Sequence, residues 1–110
     1  ILSNGSQDML QAAVSSAGLD GLLDDVLSVD TVGIFKPSDR VYHMVPDRFD
    51  CARNEVLFVS SNGWDIAGAA RFGFVTAWVN RASLPVDRMP GQPAYILSDL
   101  TQIPEIAAHA

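Results

Sequence analysis

Apolar positions in this chain fall into short runs that switch between helical and strand-like spacing. Ile1-Leu2 reads as the end of a strand, and residues 4–17 as a helix. Met9, Leu10, Ala13, Val14 and Ala17 recur at helical intervals, and Gly18 supplies a stop. Asn4 and Gln7 have the spacing of a capping box. A loop and a short strand, Val26-Leu27-Ser28-Val29, follow. Gly33-Ile34-Phe35 then leads to Lys36-Pro37, where proline suits a first helical turn and pushes Lys36 toward an extended conformation outside it. A second helix, residues 38–45, meets Pro46, which should kink or end it.

The run Val56-Leu57-Phe58-Val59 predicts a short buried strand, and it gives way at once to Ser60-Ser61-Asn62-Gly63-Trp64-Asp65. A helix over 64–72 stops at Gly73, and residues 74–79 form a further strand. Residues 83–93 hold three prolines and read as loop, 95–97 as a last strand, and 99–108 as a last helix. Strands alternating with helices predict an α/β fold with a parallel sheet and right-handed crossovers. There is no internal repeat, low-complexity tract or interdomain linker, so the 110 residues are one domain or a piece of one.

Composition narrows the functional classes. Hydrophobic residues make up 48% and charged residues 18%, as in ordinary globular proteins. A formal charge of −6 without any basic stretch argues against a nucleic-acid surface and against anionic lipid. No apolar run approaches the roughly 20 residues that span a bilayer. A single cysteine, Cys51, excludes an internal disulfide and suits a reducing, cytoplasmic setting. The opening Ile1-Leu2, without methionine, reads as the last residues of a buried strand and implies an upstream segment.

Chemistry concentrates where apolar runs end. Ser3-Asn4, Lys36 with Tyr42, and Ser60-Ser61-Asn62 with Asp65 each stand just past such a run, and in a parallel sheet all three are expected on one edge. Together they offer hydroxyls, amides, a cation and a carboxylate, enough to hold an anion and perform nucleophilic or acid/base chemistry. Each also has a plainer reading. Ser3 and Asn4 could cap the first helix, Lys36 could be a solvated loop residue, Asn62 and Asp65 could cap the later helix, and Trp64 could be wall or core.

The order of the three clusters carries a resemblance. Ile1-Leu2-Ser3-Asn4-Gly5-Ser6, then Phe35-Lys36-Pro37 with Arg40-Val41-Tyr42, then Phe58-Val59-Ser60-Ser61-Asn62-Gly63-Trp64-Asp65, resembles the haloacid dehalogenase superfamily and, more narrowly, the L-2-haloacid dehalogenases. The similarity continues through Phe72-Gly73-Phe74 and Trp78-Val79-Asn80-Arg81. It implies a Rossmann-like three-layer fold, with residues 1–110 as the C-terminal part of the core domain and the first strand and cap absent.

Phosphatases of that superfamily typically carry a paired-acid Gly-Asp-x-x-x-Asp segment that holds Mg²⁺. Here Ser61 and Asn62 occupy that region, and Asp65 is the only carboxylate. One carboxylate with neutral amides is a poor nest for a hard divalent cation, so the site is expected to need no metal and no cofactor.

The activity implied is hydrolysis of an S-2-haloalkanoate through an aspartyl ester, with inversion at C2 and release of halide. Carried over residue by residue, Ser3 binds the substrate carboxylate and Asn4 lies beside the halide or substrate. Lys36 keeps the nucleophilic carboxylate ionised and Tyr42 supports that network. Ser60 and Asn62 orient the carboxylates, Asp65 positions or activates the hydrolytic water, and Trp64 walls the alkyl group. The family's nucleophile, in an N-terminal Asp-x-x-x-Thr motif, has no counterpart here. None of Asp8, Asp20, Asp24, Asp25 or Asp30 follows a suitable strand with the required Thr. Lesser departures are Pro46 and Asp50, the latter where a glycine turn is expected. A small 2-haloalkanoate, halide, the missing N-terminal segment and a second copy of the chain are the implied partners. The competing readings are a Mg²⁺-dependent phosphatase of the same superfamily and a non-catalytic assembly module.

Overall fold

The structure, a computed structural model, describes residues 1–80 and 93–109. The expected loop before Pro93 lies outside the described residues, as does Arg81. Two compact units divide the chain, Ile1–Phe49 and Asp50–Ala110.

In the first unit, β1 (Leu2–Ser3) pairs in parallel with β2 (Leu27–Ser28), Leu2 opposite Leu27 and Ser3 opposite Ser28. The connecting helix α1 (Gln7–Ser16) buries Val14. Its cap is Ser6, whose hydroxyl accepts from the Met9 N–H at 3.2 Å, so the capping box expected from Asn4 and Gln7 does not form. A 3₁₀ turn (Val29–Thr31) shortens the strand expected over 26–29.

The single helix expected over 38–45 is two: α2 (Asp39–Tyr42) and α3 (Met44–Phe49). Pro46 lies in the first turn of α3, where its missing N–H has no intrahelical acceptor to satisfy. It therefore opens a new helix rather than closing the old one. Val41 and Tyr42 are fully buried. Lys36-Pro37 is a cis peptide.

The second unit is a three-stranded parallel sheet in the order β3 (Leu57–Ser60), β4 (Val75–Val79), β5 (Tyr95–Leu97). Leu57 pairs with Val75, Ser60 with Trp78, and Val79 with Leu97. Helix α4 (Gly63–Phe72) crosses from β3 to β4 and packs on both. Gly73, at φ 117°, ends it in a conformation that side chains resist.

Period-2 alternation sorts the strands' side chains. Leu57, Val59, Ala77, Val79, Tyr95 and Leu97 form one apolar face, covered by Ile103 and Ile106 of α5 (Ile103–His109). The alternate positions, Phe58, Ser60, Thr76 and Trp78, point the other way. Phe58 stacks on Phe74, which meets Phe72 edge-on. Among the described residues all pairing is parallel, as expected, but it is divided between two sheets in separate units.

Candidate active site in two parts

The site residues inferred from sequence divide between the units: Ser3, Asn4, Lys36 and Tyr42 in the first, Ser60, Asn62, Trp64 and Asp65 in the second. Ser3 and Ser60 end β1 and β3, with Asn4 and the Asn62–Asp65 segment just beyond them. Lys36, by contrast, follows an irregular stretch and Tyr42 lies in α2, so the expectation of a strand end before Lys36 is not met.

In the first unit the chain leaves β1 through a turn stitched by short-side-chain hydrogen bonds. The Ser3 hydroxyl oxygen accepts from the Gly5 N–H at 3.0 Å, and Ser28, buried at the end of β2, donates its hydroxyl to the Gly5 carbonyl at 2.7 Å. Held this way, Ser3 keeps its own O–H to donate. Asn4 is not a cap. Its amide oxygen accepts from the Lys36 N–H at 2.8 Å, tying the first motif to the second across 32 residues. Lys36 is half-buried, and Tyr42, the last residue of α2, is buried completely. The tyrosine is therefore removed from any open surface.

In the second unit, Ser60 ends β3 and its hydroxyl accepts from the Asn62 N–H at 3.1 Å. Asn62 is the N-cap residue of α4 by position, yet its side chain makes no capping bond. The capping-box alternative for Asn62 and Asp65 therefore fails, and the Asn62 amide is exposed at the helix start. Trp64 is 42% exposed and is not core. Asp65, only 4% exposed, is a carboxylate held inside the first turn of α4, where the helix dipole favours negative charge. Among the described residues, no three His, Cys, Asp or Glu side chains gather as a metal site would require.

One member of this region escaped the sequence reading. Trp78, buried in β4, donates its indole N–H to the Ser61 carbonyl at 3.1 Å. The available signal was a tryptophan in an otherwise apolar strand, whose N–H must find an acceptor when buried.

The family model for haloacid dehalogenase-like hydrolases matches residues 1–73. Curated relatives include (S)-2-haloacid dehalogenase 1 of Pseudomonas sp. (strain CBS-3), 43% identical over 106 residues, or 96% of this chain and 47% of that protein. (S)-2-Haloacid dehalogenase 4A of Burkholderia cepacia is 51% identical over 85 residues, 77% of this chain and 37% of that protein. A solved L-2-haloacid dehalogenase from Xanthobacter autotrophicus, with chloropropionic acid covalently bound, superposes with a TM-score of 0.92 at 36% identity. That match covers 98% of this chain and 54% of the enzyme. The chain spans about half the length of the curated relatives it matches. With the profile match covering both clusters of the first unit and the Ser60–Asp65 segment of the second, this chain belongs to the haloacid dehalogenase-like hydrolases.

Proposed function

We propose that this chain is the C-terminal part of the core of an (S)-2-haloacid dehalogenase and that its two sets of site residues serve one reaction. The observation that carries the reading is the 43% identity to a (S)-2-haloacid dehalogenase along nearly the whole chain. The single carboxylate of the Ser60–Asp65 segment agrees with it, since a phosphatase's magnesium calls for more charged oxygens than Asp65 and neutral amides provide.

In the proposed reaction an aspartate from polypeptide outside these 110 residues attacks C2 of the substrate. The C–halogen bond breaks, halide leaves with the bonding pair, and an ester forms with inversion. Water then adds to the aspartyl carbonyl and gives its proton to Asp65. Collapse of the adduct expels the alkoxide, which takes the proton back from Asp65 and leaves as the 2-hydroxy acid. The aspartic acid so formed loses its proton to solvent, and the carboxylate is restored. Lys36 keeps the attacking group ionised by proximity of opposite charge. The Ser3 O–H binds the substrate carboxylate, and Asn4 stands beside the halide or substrate. Ser60 and Asn62 orient the reacting carboxylates, Trp64 bounds the alkyl group, and Tyr42 supports Lys36.

Incubating the full-length protein with (S)-2-chloropropionate should release chloride and yield the R hydroxy acid. A folded protein that releases none would refute the proposal. A single turnover in ¹⁸O-labelled water, enzyme in excess, should leave the label in the enzyme's carboxylate rather than in the product. Label appearing first in the product would remove the ester step.

A further inference from the structure

The turn that carries Ser60, Asn62 and Trp64 joins β3 to α4, and the Asn62 carbonyl opens the helix by accepting from the Asp65 and Ile66 N–H groups at 3.1 Å. The Ser60 hydroxyl accepts the Asn62 N–H, and the Asn62 side chain leaves the start of α4 uncapped. The middle of the turn is also tied to a neighbouring strand. Trp78 sits opposite Ser60 in the β3–β4 register, on the side of the sheet away from the Ala77, Val79 and Leu97 cluster. Its indole is 3% exposed, and from there the Nε1–H reaches one residue past the strand partner to the Ser61 carbonyl. That carbonyl lies in the short link between Ser60 and Asn62. A buried ring packed in β4 has little rotamer freedom, so its N–H is a fixed point against which the link is set.

We propose that Trp78 is a positioning residue: its indole N–H pins the Ser61 carbonyl and thereby holds Ser60 and Asn62 in their working orientation. This rests on the dehalogenase reading for its kinetic consequence, but not for the anchoring itself. Trp78 does not touch substrate. It acts through the turn, so its loss falls on the chemical step that Ser60 and Asn62 serve rather than on substrate binding.

The test is Trp78→Phe in the full-length protein, which keeps a buried ring and removes the donor, beside Val79→Ala, which weakens the same strand on its opposite face. Two readouts separate anchoring from catalysis. By ¹⁵N NMR, the Trp78 indole proton should exchange slowly in the parent, and Trp78→Phe should shift and speed exchange of the amides of residues 61–63, while Val79→Ala leaves them in place. With (S)-2-chloropropionate, Trp78→Phe should lower kcat about fivefold to tenfold with KM within twofold, the size expected for one lost hydrogen bond. Val79→Ala should lower Tm without that kcat loss.

Unmoved amides at 61–63 in Trp78→Phe, or an equal kcat loss in Val79→Ala, would overturn the proposal. If the parent releases no chloride, the dehalogenase reading falls instead, and the amide exchange alone decides whether Trp78 anchors the turn.

Discussion

Asp25 is held as a carboxylate by two donors. The Val26 N–H bonds to Oδ1 at 2.7 Å, and Arg48 pairs with Oδ2. The backbone donor first and the guanidinium second pull its pKa below the ordinary value. A depressed carboxylate adds stability that is present above its unfolded pKa and lost as pH falls through the folded one. The loss therefore belongs to acid conditions, below about pH 4. Arg48→Gln should raise the Asp25 titration midpoint, followed by NMR of its carboxyl carbon, toward but not fully to the ordinary value, because Val26 still donates. Added salt should shrink the difference between the two proteins. Asp65 makes the sharper functional case. Asp65→Asn keeps its size and removes its capacity to accept a proton, so kcat should fall by about 10²–10⁴. The full-length variant should then accumulate as its ester, visible by intact mass. An unchanged turnover would take Asp65 out of the water-activating role.

At the scale of elements, the ends of α4 and α3 depend on backbone conformations that few residues tolerate. Gly73 ends α4 at φ 117°, and a Cβ there would meet the Arg53 side chain at 3.3 Å. Arg53 is committed to this end: it donates to the Phe72 carbonyl at 3.0 Å and lies 4.0 Å over the Phe72 ring. Gly73→Ala should cost about 1–2 kcal/mol, read from urea unfolding. Asp50, just past α3, has φ 49°, the left-handed conformation that glycine adopts without strain. Asp50→Gly should stabilise the protein by about 0.5 kcal/mol in the same measurement.

These two stops were legible in the sequence, Gly73 as a glycine after a periodic run and Asp50 as a place where glycine belongs. The start of α1 was not. Asn4 has the chemistry of a cap, but its amide is taken by a backbone N–H 32 residues away, and Ser6 caps instead. Pro46 misled for a related reason, since local sequence does not reveal whether a proline interrupts a helix or begins one.

At the scale of the whole molecule, alternation of strand and helix foretold parallel pairing, and every observed ladder is parallel. It could not foretell that the strands fall into two sheets, because pairing partners are long-range choices that apolar runs do not encode. The same limit applies to the candidate site: Ser60 and Asn62 stand out in the sequence as polar residues just past an apolar run, while the indole that reaches the Ser61 carbonyl does not.

Large apolar side chains also stand in solvent: Met9, Leu22, Phe35, Phe49 and Leu100 are each more than two-fifths exposed. On the proposed reading, in which further polypeptide covers these groups, the isolated 110 residues should bind a hydrophobic dye and self-associate with concentration in sedimentation, more strongly than a longer chain that includes them. Equal behaviour of the two would mean that no further chain covers these groups.

The amide of Asn4 has one more implication. By bearing the main chain of Lys36, it couples the placement of the cation to a residue that looks like a ligand contact. An alanine survey would charge position 4 with losing substrate when the fault is slack in the lysine. Only pairing each Asn4 variant with one at Lys36 would assign the loss correctly.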